Sequence, residues 1–303
     1  MTDLWRKRLA IELGELTAWT ARGRKWNRAE KSCVPRVLLS AGLRLTRLQP
    51  RGERNALSPI LRPIPIAFDN LPKAFSGFTI LHLSDLHIDG IPQLTEKACQ
   101  MLGKVEADLC VLTGDYRYSL NGPSDGVYVP LRKILASVRA RHGALAILGN
   151  HDTSEMGAQL AKMGAKVLVN EAMELRKDGD SLWLLGLDDP HYFGCEDLPG
   201  VLRTVPEGAF KILLVHSPEI VDDAAEAAVD LYLCGHTHGG QICLPGIGPV
   251  IVNSRCPRVC RGGAWRYNGM KGYTSFGLGC SVVPARFLCP PEIALIELRR
   301  VRP

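Results

Sequence analysis

The sequence predicts an α/β fold, on three observations. Short apolar runs alternate with longer helical segments from Phe78 onward, the second half is richer in strands than the first, and polar clusters follow the apolar runs. Residues 78–83, 109–113 and 144–148 read as buried strands, separated by helices over 92–105 and 129–139. Residues 172–176 and 181–187 form a hairpin around Lys177 to Asp180. A strand over 211–215, a helix over 218–228 and a strand over 229–234 follow, and strands at 241–244, 249–252, 273–276 and 293–298 finish the chain.

A chain of 303 residues, 46% hydrophobic and 22% charged, can bury a substantial core. Its net charge of +6 is unevenly placed, because residues 1–62 hold 14 Lys and Arg against 5 Asp and Glu, leaving the remainder slightly acidic. Residues 1–65 are therefore read as a basic N-terminal extension with a linker, and 66–303 as the core domain. Leu4, Trp5, Leu9, Leu13, Leu16 and Trp19 recur at helical intervals among Arg6, Lys7, Arg8, Arg22, Arg24 and Lys25. That composition suits a helix lying on an anionic membrane surface, and equally one packed on the core. Residues 33–48 repeat the pattern with Arg36, Arg44 and Arg47. Residues 51–65, with Pro59, Pro63 and Pro65, read as an extended linker.

Ten cysteines without a CxxC pair, and no apolar leader, point to a reducing, cytoplasmic compartment and free thiols, including the group Cys234, Cys243, Cys256, Cys260, Cys280 and Cys289. The longest uncharged stretch, 231–254, is broken by Gly and Pro and is no membrane span. The arm adds the expectation of a peripheral seat on an inner membrane.

Chemistry concentrates where strands end. Asp85 and His87 follow the first strand, Asp115 the second, Asn150, His151 and Asp152 the third, His216 the strand at 211–215, and His236 and His238 the strand at 229–234. Strand C-terminal ends share one sheet edge, the usual place for an α/β site. One residue apart, His236 and His238 cannot share a helical face, but on an extended loop they can bracket two ions. Mixed imidazole, carboxylate and amide ligands without thiolates suit Mn, Fe, Zn or Co. These groups exceed what one ion takes and suit two sharing a carboxylate.

In order, the chain shows Asp85-Leu86-His87, Gly114-Asp115, Gly149-Asn150-His151-Asp152, His216 and Gly235-His236-Thr237-His238. In these motifs it resembles the calcineurin-like metallophosphoesterases, over about residues 70 to 300. Gly186-Leu187-Asp188-Asp189, Gly239-Gly240-Gln241-Ile242, Pro284-Ala285-Arg286-Phe287 and Pro290-Pro291-Glu292-Ile293 make it similar to the YaeI/YkuE-type phosphodiesterase branch, related to hydrolases of UDP-2,3-diacylglucosamine in lipid A synthesis. The resemblance implies a four-layer sandwich of two mixed β-sheets flanked by helices. It implies two divalent ions, manganese first with Fe, Zn or Co as alternatives. Asp85, His87 and His238 would hold one, Asn150, His216 and His236 the other, with Asp115 bridging and His151 the unliganded catalytic histidine. Where relatives read G-D-x-x-D, this chain reads Gly114-Asp115-Tyr116-Arg117-Tyr118, a difference that would face substrate.

Two such ions would activate a bridging water for attack on phosphorus, with His151, oriented by Asp85 or Asp152, protonating the leaving oxygen. Tyr116, Arg117 and His191 are the expected substrate contacts, and His82 is expected to pack beneath the site. The leading expectation is hydrolysis of a phosphodiester or pyrophosphate bond in a phosphorylated or lipid-linked substrate. The runner-up is a soluble nucleotide or nucleic-acid phosphodiesterase, which no nucleic-acid motif supports. A non-catalytic scaffold of the same fold ranks last, because no ligand is missing.

Overall fold

The computed structural model describes residues 2–15, 34–120 and 122–301. Leu16, Trp19, Arg22, Arg24, Lys25 and Cys33 lie outside them. Among the described residues the first helices are α1 (Asp3–Glu12), α2 (Val34–Leu45) and α3 (Gln49–Ala56). Next come β1 (Ile60–Phe68), β2 (Thr79–Leu83), α4 (Pro92–Leu102), β3 (Glu106–Ala107), β4 (Leu109–Leu112), α5 (Asp125–Ser137), β5 (Arg139–Ala140), β6 (Ala144–Ala146), α6 (Ser154–Lys162) and β7 (Lys166–Val167). The second half holds β8 (Glu171–Lys177), β9 (Asp180–Gly186), α7 (Leu198–Leu202), β10 (Lys211–Leu214), α8 (Val221–Glu226) and β11 (Leu231–Cys234). It ends with β12 (Cys243–Leu244), β13 (Gly248–Pro249), β14 (Gly263–Tyr267), β15 (Met270–Thr274) and β16 (Glu292–Arg300).

Two six-stranded sheets result, in the orders β1-β16-β2-β4-β6-β7 and β14-β15-β11-β10-β9-β8. Their facing sides form one core, where Ile80, Val111 and Ile147 meet Leu184, Ile212 and Leu233. The alternate residues point outward. Leu81, Leu83 and Leu112 pack on Leu94, Leu131 and Leu160 of α4, α5 and α6, and Leu185, Leu213 and Tyr232 pack on Val201 and Val221 of α7 and α8. Helices therefore cover both outer faces, which is why β4 and β11 are apolar throughout rather than alternating. Burying each such Leu or Ile contributes about 1.5–3 kcal/mol. The arrangement is the four-layer α/β sandwich with mixed sheets that the sequence predicts.

The expected linker is corrected. Residues 51–65 are not extended connection but the rest of α3 and the start of β1, which pairs in parallel with β16 along the sheet edge from Ile60 to Phe68. Pro63 and Pro65 are two apart, so their missing N–H groups fall on one side of the strand, and an edge strand has an unpaired side. Ile64, Ile66 and Phe68 alternate with them into the core. Smaller differences concern ends. The helix at α5 starts at Asp125, the helix expected over 218–228 is a 3-10 turn (Pro218–Ile220) running into α8, and the strands near 241 and 249 shrink to the two-residue pair β12–β13.

Candidate metal centre

β2, β4 and β6 run parallel, as do β9, β10, β11 and β15. The C-terminal ends that carry the polar motifs therefore lie along one edge of each sheet, and the two edges meet. The His236 amide, after β11, donates to both Asp85 carboxylate oxygens at 3.0 Å, after β2, and His216, after β10, reaches the carbonyl of Thr113, after β4. The turns are tight. Asp85, His87, Asp115, His236 and His238 all adopt left-handed backbone, with φ of 50°, 37°, 58°, 69° and 50°. Each such residue costs on the order of 1–3 kcal/mol, which surrounding structure must offset, and such strain gathers at functional sites. Two glycines allow the close approach. A Cβ on Gly149 would lie 2.3 Å from Asp115 Oδ1, and one on Gly235 2.0 Å from Asp85 Oδ2.

The predicted ligands converge in two sets. Asp85, His87 and His238 bring one donor atom each within 4.8 Å of one another, as do Asp115, His216 and His236. Asn150 Oδ1 lies 2.9 Å from His236 Nδ1, joining the second set. Asp115 Oδ2 lies between them, 3.3 Å from His216 Nε2 and 3.7 Å from His87 Nε2. Backbone carbonyls fix the imidazoles. His87 Nδ1 donates to the Arg117 carbonyl, His216 Nδ1 to that of Thr113 and His236 Nε2 to that of Asn253, each at 2.7 Å. Because a carbonyl only accepts, the opposite nitrogens are left as bare lone pairs aimed inward. His216 Nε2 and His236 Nδ1 then face each other at 3.2 Å, with the Asn150 oxygen beside them. Acceptors turned on one another at that range fit a cation between them.

Titration behaviour agrees with a site that attracts positive charge. Burial alone would lower His216, but Asp115 beside it pushes it up to about 10, so without a metal its Nε2 carries a proton in the place a cation would take. Burial would likewise raise Asp115, yet His216, then His151 and His87, hold it well below the usual carboxylate range. His236 and His238 are held well below the usual imidazole range, chiefly by burial and then by neighbouring histidines, so both stay neutral and able to ligate. Divalent ions here would be held by Asp85, His87 and His238, and by Asn150, His216 and His236, with Asp115 between the sets. When bound, they would supply Lewis-acid charge at a phosphoryl group and make water more acidic.

His151 sits at the rim. Its Nε2 is 3.8 Å from Asp115 Oδ2, and its side chain is 17% exposed where the ligand side chains of His87, His216 and His238 are 6% or less. Several expectations around it are corrected. Asp152 does not orient the His151 ring; its carboxylate accepts from the backbone amides of Asp115, Tyr116 and Gly149 at 2.7–2.9 Å, tying two loops together. Asp85 accepts from His236 and Ser84 instead. Tyr116 is fully buried with its hydroxyl on the Ile147 carbonyl at 2.8 Å, so it meets core rather than substrate. Arg117 is buried too, and its guanidinium is spent on the carbonyls of His151, Leu120 and Gly122. Both side chains turn back from the strand end because Asp115 occupies the outward position. His191 is buried, its ring centre 4.1 Å from that of His236 and its Nδ1 3.0 Å from Glu219, so it buttresses the His236 ring. His82 packs beneath the site as expected, bonded to Thr113, and burial lowers it to about 3.

Two further arginines, Arg286 of the Pro284–Phe287 motif and Arg8 of the basic stretch, brace the site although neither was expected there. Arg286, fully buried, donates to the Gly277 and Gly279 carbonyls and lies 3.2 Å from His238 Nδ1, fixing that loop. Arg8 of α1 is fully buried against Asp188, with its guanidinium also donating to the Asp152 carbonyl at 2.6 Å and to Glu12 at 3.0 Å. Glu12 in turn accepts from the Ser154 amide at the start of α6. The first helix thus braces the loop that carries His151. Among the described residues all cysteines are free, as expected, and no helix is long and apolar enough to cross a membrane.

Metal-ligand sets at the joined edges of two sheets define a metallohydrolase. Residues 78–240 match the model of the calcineurin-like phosphoesterases, and the chain belongs to that family. It is a metallophosphoesterase, and so a hydrolase. It is 33% identical over 241 residues to the metallophosphoesterase YkuE of Bacillus subtilis, spanning 76% of this chain and 82% of that one. It is 28% identical over 233 residues to the phosphodiesterase YaeI of Escherichia coli, spanning 73% and 82%. A transmembrane protein with a metallophosphoesterase domain from Bos taurus is 29% identical over 219 residues, spanning 65% of this chain and 48% of that one.

Proposed function

We propose that this metallophosphoesterase cleaves a phosphodiester or pyrophosphate bond in a lipid-linked, membrane-associated substrate, with UDP-2,3-diacylglucosamine as the specific candidate. Two divalent ions, manganese by first choice, would serve the reaction. The observation that carries the chemistry is the pair of ligand sets with the Asp115 carboxylate between them. The chain's own groups divide the rest. Arg117 and Asp152 fix the loops from behind, and His151, with 17% of its side chain exposed beside Asp115, would protonate the departing oxygen. The lipid part is supported by apolar side chains beside His236 and His238, among them Leu39, Val250 and Ile251, which line one cleft with them. A relative named as a transmembrane protein is consistent with work at a membrane.

The test compares metal-loaded wild type with His151→Ala on bis-p-nitrophenyl phosphate and on UDP-2,3-diacylglucosamine in detergent micelles. His151→Ala should retain both metals and lose about 10²- to 10⁴-fold in turnover. Unchanged turnover at normal metal content would remove His151 from that role. Cleavage of the simple diester but not of the lipid nucleotide would leave the hydrolase and overturn the substrate.

A further inference from the structure

The described residues leave fifteen large apolar side chains exposed, and ten of them fall in three short segments: 34–48, 242–251 and 281–288. The concentration is local. In α2, Leu43 is buried and Leu39 half-buried against Val283, Ala285, Phe287 and Ile242, while Leu38 and Leu45 on its free side are 67% and 85% exposed. The segment bearing β12 and β13 carries Ile247 at its tip, 76% exposed, and Leu288 stands out at 69%. Backbone bonds join the pieces, since the Cys243 amide donates to the Phe287 carbonyl at 2.9 Å and that of Val250 to Ile242 at 3.0 Å. This face borders the cleft that ends at His236 and His238.

The segments that build this face carry few acids, with Glu219, from the turn before α8, beside Arg255. From residue 231 to 291 the chain has no Asp or Glu, yet it carries Arg255, Arg258, Arg261, Arg266, Lys271 and Arg286. Residues 34–58 hold five Arg against one Glu, and Arg44, Arg47, Arg51 and Arg54 are exposed, as are Arg255 and Arg258. Apolar side chains flanked by exposed arginines match the boundary of an anionic bilayer, where acyl chains meet negative headgroups. The first helix offers no such face, because Arg8 is buried and Lys7 is bonded to the Gly194 carbonyl at 2.6 Å.

We infer that α2, the 242–251 segment and the 281–288 loop dock on an anionic lipid surface, with the mouth of the metal site opening into it. This gives the proposed lipid substrate its route of entry, and in that respect it rests on that reading. Docking itself needs only the face.

Metal-loaded full-length protein is sedimented with vesicles of phosphatidylcholine alone and of phosphatidylcholine with phosphatidylglycerol, at low and high salt. Wild type should bind the anionic vesicles, weaken in high salt, and bind the neutral ones poorly. The double variant Leu38→Asn/Leu45→Asn, and separately Ile247→Asn, should lose about tenfold or more of that binding, while hydrolysis of bis-p-nitrophenyl phosphate stays at the wild-type rate, which also shows that the variants fold. Wild type that ignores anionic vesicles, or variants that bind as well as wild type, overturn the inference. So does a wild-type dimer that the α2 variant converts to monomer with no vesicle binding in either, because the face then joins two copies of the chain. Vesicle binding with no cleavage of the lipid nucleotide sustains the docking and refutes the substrate. Cleavage in micelles without vesicle binding does the reverse.

Discussion

The first two helices have nearly the same sequence character, basic with recurring Leu, and opposite fates. α1 is held by charge, with Leu4, Trp5 and Ile11 packed around it. Arg8 is sealed between Asp188, Glu12 and the Asp152 carbonyl, with its guanidinium 3.9 Å over the Phe193 ring, and only Ile11 is fully inside beside it. α2 is held by apolar packing of Leu39 and Leu43, and its Arg44 stays at the surface. The difference lies in the partner, not in the helix. The loops under α1 offer buried carboxylates, whereas the 281–288 loop under α2 offers Val283, Ala285 and Phe287. Amphipathic periodicity says that one face will be covered. It does not say whether the charges or the leucines do the anchoring.

The largest effect should follow from breaking the anchor of α1. Arg8→Ala leaves Asp188 as a buried carboxylate without its cation, and breaking a buried pair in this way costs about 3–5 kcal/mol. Urea unfolding at neutral pH measures it. A loss under about 1 kcal/mol would mean that α1 is a loose appendage and that the contrast with α2 is false. Because the same guanidinium holds the carbonyl next to His151, turnover should fall as well, with metal content retained.

How much of this was legible follows from where the signals lie. Strands buried on both faces write continuous apolar runs, and their ends are marked by Gly, Asp and His, so β2, β4, β10, β11 and the polar groups at their ends could be found from order, while the resemblance picked the seven candidate ligands out of those groups. β1 was hidden because Pro63 and Pro65 write the signature of a linker, and only the pairing with β16, more than 200 residues away, shows that the edge tolerates them. Arg117 and Tyr116 were misjudged for a related reason. Proximity in sequence to Asp115 places a residue at the site, but the direction of its side chain is set by the turn. Arg8 was illegible outright, since a buried cation is identified by Asp188, 180 positions later.

A second, smaller effect separates the two helices by pH. Glu196 lies beside the loop that α1 covers, and burial pushes it up to about 8, against a weaker opposing pull from Lys7. Its folded pKa is above the ordinary value of 4.5, so the native state binds the extra proton. Its contribution to stability is therefore full below about pH 4.5 and is lost as pH rises through about 8. Glu196→Gln should flatten that dependence, on the order of 2 kcal/mol between pH 5 and 8 after allowing for incomplete burial. An unaltered slope would show that Glu196 ionises normally. The packing under α2 contains no acid from residue 281 to 288 and should add nothing to the slope.

The smallest expected effect is the sharpest test of the contrast. Leu45 closes α2 and is 85% exposed, so Leu45→Asn removes no buried area and should move unfolding by no more than about 0.5 kcal/mol, near the helix-propensity difference alone. An equally apolar residue on the anchored side would cost several times that, because its transfer energy and the cavity it leaves would both count. If Leu45→Asn instead costs more than about 1 kcal/mol by urea unfolding in the absence of lipid, the outer face of α2 is already covered in the free protein. α2 would then be anchored on two sides, and a lipid surface would have to displace what covers it before the mouth of the metal site could meet it.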